Sequence, residues 1–203
     1  MHATATTQTT GSEHRMPVAQ LALAGLLAAV LAVASWVSIP FVPVPLTLQT
    51  LAVLVAGGLL GRYWGPASVG VYLLLGLAGV PVFAGGHAGP AVVAGPLGGF
   101  LLGFVLAAFV MGMAGDAARR RGVADRRGLA VLVLGAAAAS LAVYVVGVPW
   151  FMAVTGMSLR AAVTVAFFPF ILGDALKAVL AVVVIRAVDR ALVAQGLRPA
   201  LRG

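Results

Sequence analysis

The chain has 203 residues, 62% of them hydrophobic and 9% charged, with a mean hydropathy of +1.11; soluble domains are about 45–50% apolar and about 25% charged. This composition excludes a water-soluble globular protein, and the absence of cysteine excludes disulfides, thiol redox chemistry and cysteine-ligated metal. The formal charge of +8, from 13 Lys and Arg against 5 Asp and Glu, sits on arginines between and beside apolar runs, where it orients a chain in a bilayer rather than recruiting nucleic acid.

At about 20 residues per crossing, the length predicts an all-α integral membrane protein: one bundle of six transmembrane helices and no soluble domain. Residues 1–16 are Thr- and Ala-rich without apolar periodicity and read as a disordered cytoplasmic tail. The apolar run that follows is too long for the core of a signal peptide and has no small-residue cleavage site, so it reads as a permanent span, 17–38. Ala24, Ala28 and Ala32 form a small-residue stripe on it at i, i+4 and i+8, a pattern that packs helices against one another or against a partner. Three prolines at 40, 43 and 45 then forbid helix in an apolar stretch. A connector of that kind is expected to pack down on the bundle as a lid.

Spans two and three are expected at 47–60 and 66–80, divided by an interfacial turn, Gly61-Arg62-Tyr63-Trp64-Gly65. A Gly/Pro loop covers 81–90, and span four opens at Gly95-Pro96 and runs to about Ala114, with Gly98, Gly99 and Gly103 near its start. Residues 116–127 read as a basic connector, 129–148 as span five with Pro149-Trp150 as an interface marker, and 162–185 as span six. The membrane domain is thus 17–190, and 191–203 a basic cytoplasmic tail. Six spans gather eleven arginines on one side and leave Arg160 alone on the other, which by the positive-inside bias predicts both termini in the cytoplasm.

Lys177 is the single lysine and Asp174 one of five acidic residues, and both lie inside span six. Ionisable groups at membrane depth are costly and mark functional sites by default. Asp174 lies twelve residues before Arg186, about 18 Å along a helix, which puts Asp174 in the outer half of the bilayer and Lys177 near its middle. Three residues apart, they share one face, able to bond each other or to offer an acceptor and a donor to one ligand. The plainer reading is a structural pair whose charges neutralise each other. Other polar groups in the spans are few: Thr47, Gln49, Tyr72, Ser140 and Tyr144. His2, His14 and His87 have no metal-ligand spacing and read as bystanders, so no metal site is expected. No GxSxG, HExxH or GxxxxGK[ST] occurs and no nucleophile–base pair can be named; an enzyme is not expected, and any ATP-driven step needs borrowed ATPases.

The strings 42–51 (VPVPLTLQTL), 72–86 (YLLLGLAGVPVFAGG), 95–104 (GPLGGFLLGF) and 169–178 (PFILGDALKA) together resemble the BioY family, the biotin-specific substrate-binding (S) components of energy-coupling factor (ECF) transporters. The four motifs stand in the family's order and spacing across nearly the whole chain beyond the tail. The resemblance implies a six-helix S component in a bacterial or archaeal cytoplasmic membrane, which takes biotin from outside and docks on a membrane coupling subunit driven by two ATP-binding-cassette (ABC) ATPases. It needs no cofactor; biotin is substrate and the partners use the ATP. It implies Asp174 as acceptor for the ureido N–H groups and Lys177 as its partner or a second anchor, with Phe83, Tyr144 and the Gly98-Gly99 surface as walls and Gln49 as a further contact. The alanine stripe at 24, 28 and 32 would dock the coupling subunit. Leu97 and Phe100 stand where members of the family often carry Thr and Tyr. The alternatives are an S component for another small vitamin, or a small carrier working without ATPases, as a homo-oligomer if alone.

Overall fold

The computed structural model describes residues 15–39 and 44–196; the tail at 1–14, the proline loop at 40–43 and the end at 197–203 lie outside the described residues. Apolar residues run continuously along each segment, and in the described residues they form helix almost throughout. These are α1 (Arg15–Trp36), α2 (Gln49–Leu77), α3 (Pro90–Ala94), α4 (Gly98–Arg121), α5 (Arg126–Thr155), α6 (Leu159–Ala166) and α7 (Ile171–Ala194). Four stretches are long and apolar enough to cross a membrane: Val18–Trp36, Gly98–Arg121, Arg126–Thr155 and Leu159–Ala194.

α2 is a fold-back rather than a single rod. Gly61 has φ +83° and ψ −175°, backbone that a residue with Cβ rarely adopts, and the chain reverses there. Gln49 and Tyr72 would stand about 35 Å apart on a straight helix at 1.5 Å per residue; instead the Gln49 amide donates to the Tyr72 hydroxyl at 2.6 Å. The two arms, 49–60 and 62–77, match the two short segments read from the sequence. They approach through glycine: a Cβ on Gly65 would lie 2.7 Å from the Gly57 Cα, and one on Gly115 of α4 would lie 2.4 Å from the Gly58 carbonyl. α2 and α4 therefore pack backbone to backbone, a contact open only to small residues.

Several element boundaries differ from the sequence reading. α4 continues to Arg121 and stops at Gly122, whose φ is +87°, so the basic stretch is mostly helix and only 122–125 connects. Arg119, Arg120 and Arg121 occupy the last turn, where cations favourably meet the negative end of the helix dipole. α5 runs through Pro149 to Thr155 and ends at the left-handed Gly156. Span six, in turn, is interrupted: α6 ends at Ala166, a 3-10 turn covers Phe168–Phe170, and α7 follows. Pro169 lacks an amide hydrogen, which accounts for the break.

The loops at one end of the bundle are stitched together. A two-residue antiparallel pair joins β1 (Ser38–Ile39) to β2 (Leu46–Thr47), with Ser38 opposite Thr47. Ser35 at the end of α1 donates to the Val82 carbonyl at 2.6 Å, and the Trp36 indole donates to Pro81 at 3.0 Å. These bonds fasten the 81–89 loop to α1.

Candidate functional site

α7 begins directly after the Phe168–Phe170 turn, so Asp174 falls in its first turn and Lys177 follows on the same face. Both are buried, at 7% and 8% exposure, and the Lys177 ammonium donates to Asp174 Oδ1 at 3.0 Å. From α5, the Tyr144 hydroxyl donates to the other carboxylate oxygen. The Tyr144 ring is held edge-on between Phe100 at 6.2 Å and Phe167 at 4.7 Å between centroids, which aims its hydroxyl. A carboxylate offers about four acceptor positions and an ammonium three donors. Two acceptor positions and two N–H groups therefore remain for a ligand.

That triad borders a cavity of about 240 Å³. Its walls are apolar, from Val44, Pro45, Phe83, Leu97, Phe100, Leu101, Phe104, Val143 and Phe170, and its polar side chains are Thr47, Gln49, Thr50, His87, Tyr144, Asp174 and Lys177. Val44 and Pro45 are the described end of the proline loop expected to act as a lid, and they lie on the cavity. Phe83 is 1% exposed; its ring sits where a Cβ on Gly76 would be, at 2.1 Å, and meets Tyr72 edge-on at 5.6 Å. An apolar pocket with a few convergent polar groups is the usual form of a small-molecule site.

Of the residues singled out from the sequence, Asp174, Lys177, Tyr144, Phe83 and Gln49 share this cavity. Tyr144 is more than a wall, since its hydroxyl bonds Asp174. Gln49 lines the cavity with its amide already engaged: its oxygen accepts from Thr47 at 2.9 Å and its nitrogen donates to Tyr72 at 2.6 Å. Gly98 and Gly99 do not line the cavity. A Cβ on Gly98 would meet the Val93 carbonyl at 1.7 Å and one on Gly99 the Trp150 side chain at 2.2 Å, so they let α4 close onto α3 and α5. Their effect on the site is indirect, through the placement of Leu97 and Phe100.

The alanine stripe of α1 points into the bundle. Ala24 and Ala28 are each 1% exposed, Ser68 of α2 donates to the Ala24 carbonyl at 2.8 Å, and Ala32 is partly buried against the core. Small residues exposed on α1 are instead Ala19, Ala22, Gly25 and Ala29. Sequence reasoning also passed over His87, Phe104 and Phe170 as cavity residues. His87 carries no sequence signal beyond its place in the Gly/Pro loop beside the motif at 72–86.

A second charged cluster lies away from this cavity. Arg119 of α4 donates to Asp116 at 2.5 Å and to the Gly58 carbonyl at 2.7 Å, and stands 3.9 Å from Asp189 of α7. Asp116 also accepts from the Arg62 amide just past the reversal of α2. Arg186 donates to the Val123 and Ala124 carbonyls at 3.1 and 3.0 Å, bracing α7 against the α4–α5 connection.

Comparison with known proteins agrees over most of the chain. The biotin transporter BioY of Thermotoga maritima is 37% identical over 166 residues, covering 81% of this chain and 92% of that protein. The biotin transporter BioY of Rhizobium etli is 35% identical over 177 residues, covering 85% and 94%. A crystal structure of the S component for biotin from an ECF-type ABC transporter superposes with a TM-score of 0.77 at 28% identity, over 92% of this chain and 95% of that one. The BioY family profile matches residues 6–194, and the chain is a member of the BioY family.

Proposed function

We propose that this protein binds biotin from outside the cell and serves as the substrate-specific S component of an ECF-type transporter. The observation that carries the reading is the buried Tyr144–Asp174–Lys177 group bordering an otherwise apolar cavity. Biotin presents two ureido N–H donors beside one carbonyl, an apolar thioether ring and a carboxylate tail. The open acceptor positions of Asp174 match the N–H groups, and the remaining N–H bonds of Lys177 match the carbonyl. Tyr144 holds the carboxylate in place, while Phe83, Phe100, Phe104 and Leu97 enclose the ring system. Relatives named as biotin transporters and a structural neighbour named as a biotin S component support the assignment.

In this reading the two arms of α2 each cross the membrane, α6 and α7 cross as one interrupted span, and the bundle has six crossings. The arginine distribution supports N-in, C-in topology in the cytoplasmic membrane of a bacterium or archaeon. The cavity then faces outward, and the Arg119 cluster lies toward the cytoplasm. The partners are a membrane coupling subunit and two ABC ATPases, with α1 offering its outward face, including Ala22, Gly25 and Ala29, to the coupling subunit.

Isothermal titration of the purified protein in detergent with biotin, using riboflavin and thiamine as controls, tests this. One-to-one binding of biotin alone is the expected result. A folded protein that binds no biotin, or binds a control vitamin equally well, overturns it.

A further inference from the structure

Only two basic side chains border the cavity among the described residues. Lys177 is buried and already bonded to Asp174; the other is His87, which is exposed and so lies at the opening. A substrate that is an acid brings a negative end, which a basic side chain at the opening can meet. The loop that carries His87 is built rather than slack: the Phe83 amide donates to the His87 carbonyl at 3.0 Å, the Gly86 amide donates to Phe83 at 2.9 Å, and the buried Phe83 ring pins the loop to α2. The His87 ring is oriented as well, with Nδ1 2.8 Å from the Ala84 carbonyl. Two acceptors cannot bond each other, so Nδ1 carries the hydrogen. In the neutral ring Nε2 is then a bare acceptor, which repels a carboxylate. Only the imidazolium presents an N–H at Nε2.

We propose that His87 is the anchor for the carboxylate end of the substrate, and that capture of the acid takes up one proton from the outer solution onto Nε2. The proposal rests on the biotin reading and adds to it a charge-selective mouth. Among the described residues lining the cavity, β2, α3, α4 and α6 bring no titratable side chain; Tyr72 of α2 lies against Phe83, α5 brings Tyr144, and α7 brings Asp174 and Lys177. The last three are engaged with one another, which leaves His87 as the basic side chain with a ring nitrogen open toward a ligand.

The test compares biotin with its neutral primary amide, biotinamide, on the purified full chain at about pH 5.5 and about pH 8, a range in which an imidazole changes charge while the ligand carboxylate stays ionised. Biotin is expected to bind about five-fold more tightly at the lower pH, the scale of an ion pair at a solvent-open rim, with biotinamide unchanged. His87→Gln is expected to remove the pH dependence and the preference for the acid together. His87→Lys is expected to keep the preference at both pH values. A His87→Gln protein that retains the pH dependence and the acid-over-amide ratio of the parent overturns the anchor alone. If the folded parent binds neither ligand, the biotin reading falls and the anchor with it.

Discussion

Two acid–base pairs in this molecule have the same spacing and opposite fates. Asp116 and Arg119 stand three residues apart on α4, as Asp174 and Lys177 do on α7. The Arg119 guanidinium spreads over Asp116, the Gly58 carbonyl and the side of Asp189, and so locks α4 to the reversal of α2 and to α7. The Lys177 ammonium makes one bond and faces a cavity. An arginine fork with five donors suits a joint among fixed acceptors, whereas a lysine beside open space suits a ligand. The spacing of charged residues along a helix therefore does not distinguish a brace from a binding site; the donors and acceptors left over do.

That contrast predicts effects on different measurements. The largest effect is expected from Arg119→Ala, which removes the cation beside the buried Asp189 from a partly buried cluster, at a cost on the order of 3 kcal/mol. Its melting temperature in detergent should fall sharply, while biotin affinity of the folded fraction stays within about two-fold, as for distant sites that act independently. A large loss of affinity without loss of stability would erase the distinction between the clusters. Asp174→Asn should act on binding, weakening biotin about 10- to 100-fold, or about 1.5–3 kcal/mol for charge-assisted hydrogen bonds. Calorimetric titration beside thermal unfolding separates the two. The smallest effect is expected from Tyr144→Phe, which leaves the ring between Phe100 and Phe167 and removes one donor to Asp174; a loss of about 1 kcal/mol, roughly five-fold in Kd, is the expectation. Unchanged affinity there would reduce Tyr144 to packing.

Much of the architecture is legible in the sequence because membrane helices announce themselves by length and hydropathy, and because Gly61 opens a turn where the chain reverses; the break that Pro169 makes in span six is not, since the sequence there reads as continuous helix. Asp174 and Lys177 are legible for the same reason, as charges where charge is costly. The end of α4 is not: a run of arginines reads equally as a loop or as the last turn of a helix, and only the contacts of Arg119 with Gly58 and Asp116 decide. Gly98 and Gly99 misled because glycine makes room without saying for what; here the room is filled by the Val93 backbone and Trp150. The alanine stripe failed likewise, since a small residue suits an inner and an outer contact equally well. Asp189 is not singled out in the sequence, and it is the packing of α7 against α2 and α5 that buries it, at 2% exposure.

The last turn of α1 holds the 81–89 loop through Ser35 to Val82 and Trp36 to Pro81, while the same helix keeps Val18, Leu21, Leu26, Val30 and Val33 on its outer face. α1 is thus a lever with a free handle and a fastened tip. The outer face of α1 and the loop that carries Phe83 and His87 are therefore joined parts of one unit, held at that end by two bonds worth about 0.5–1.5 kcal/mol each.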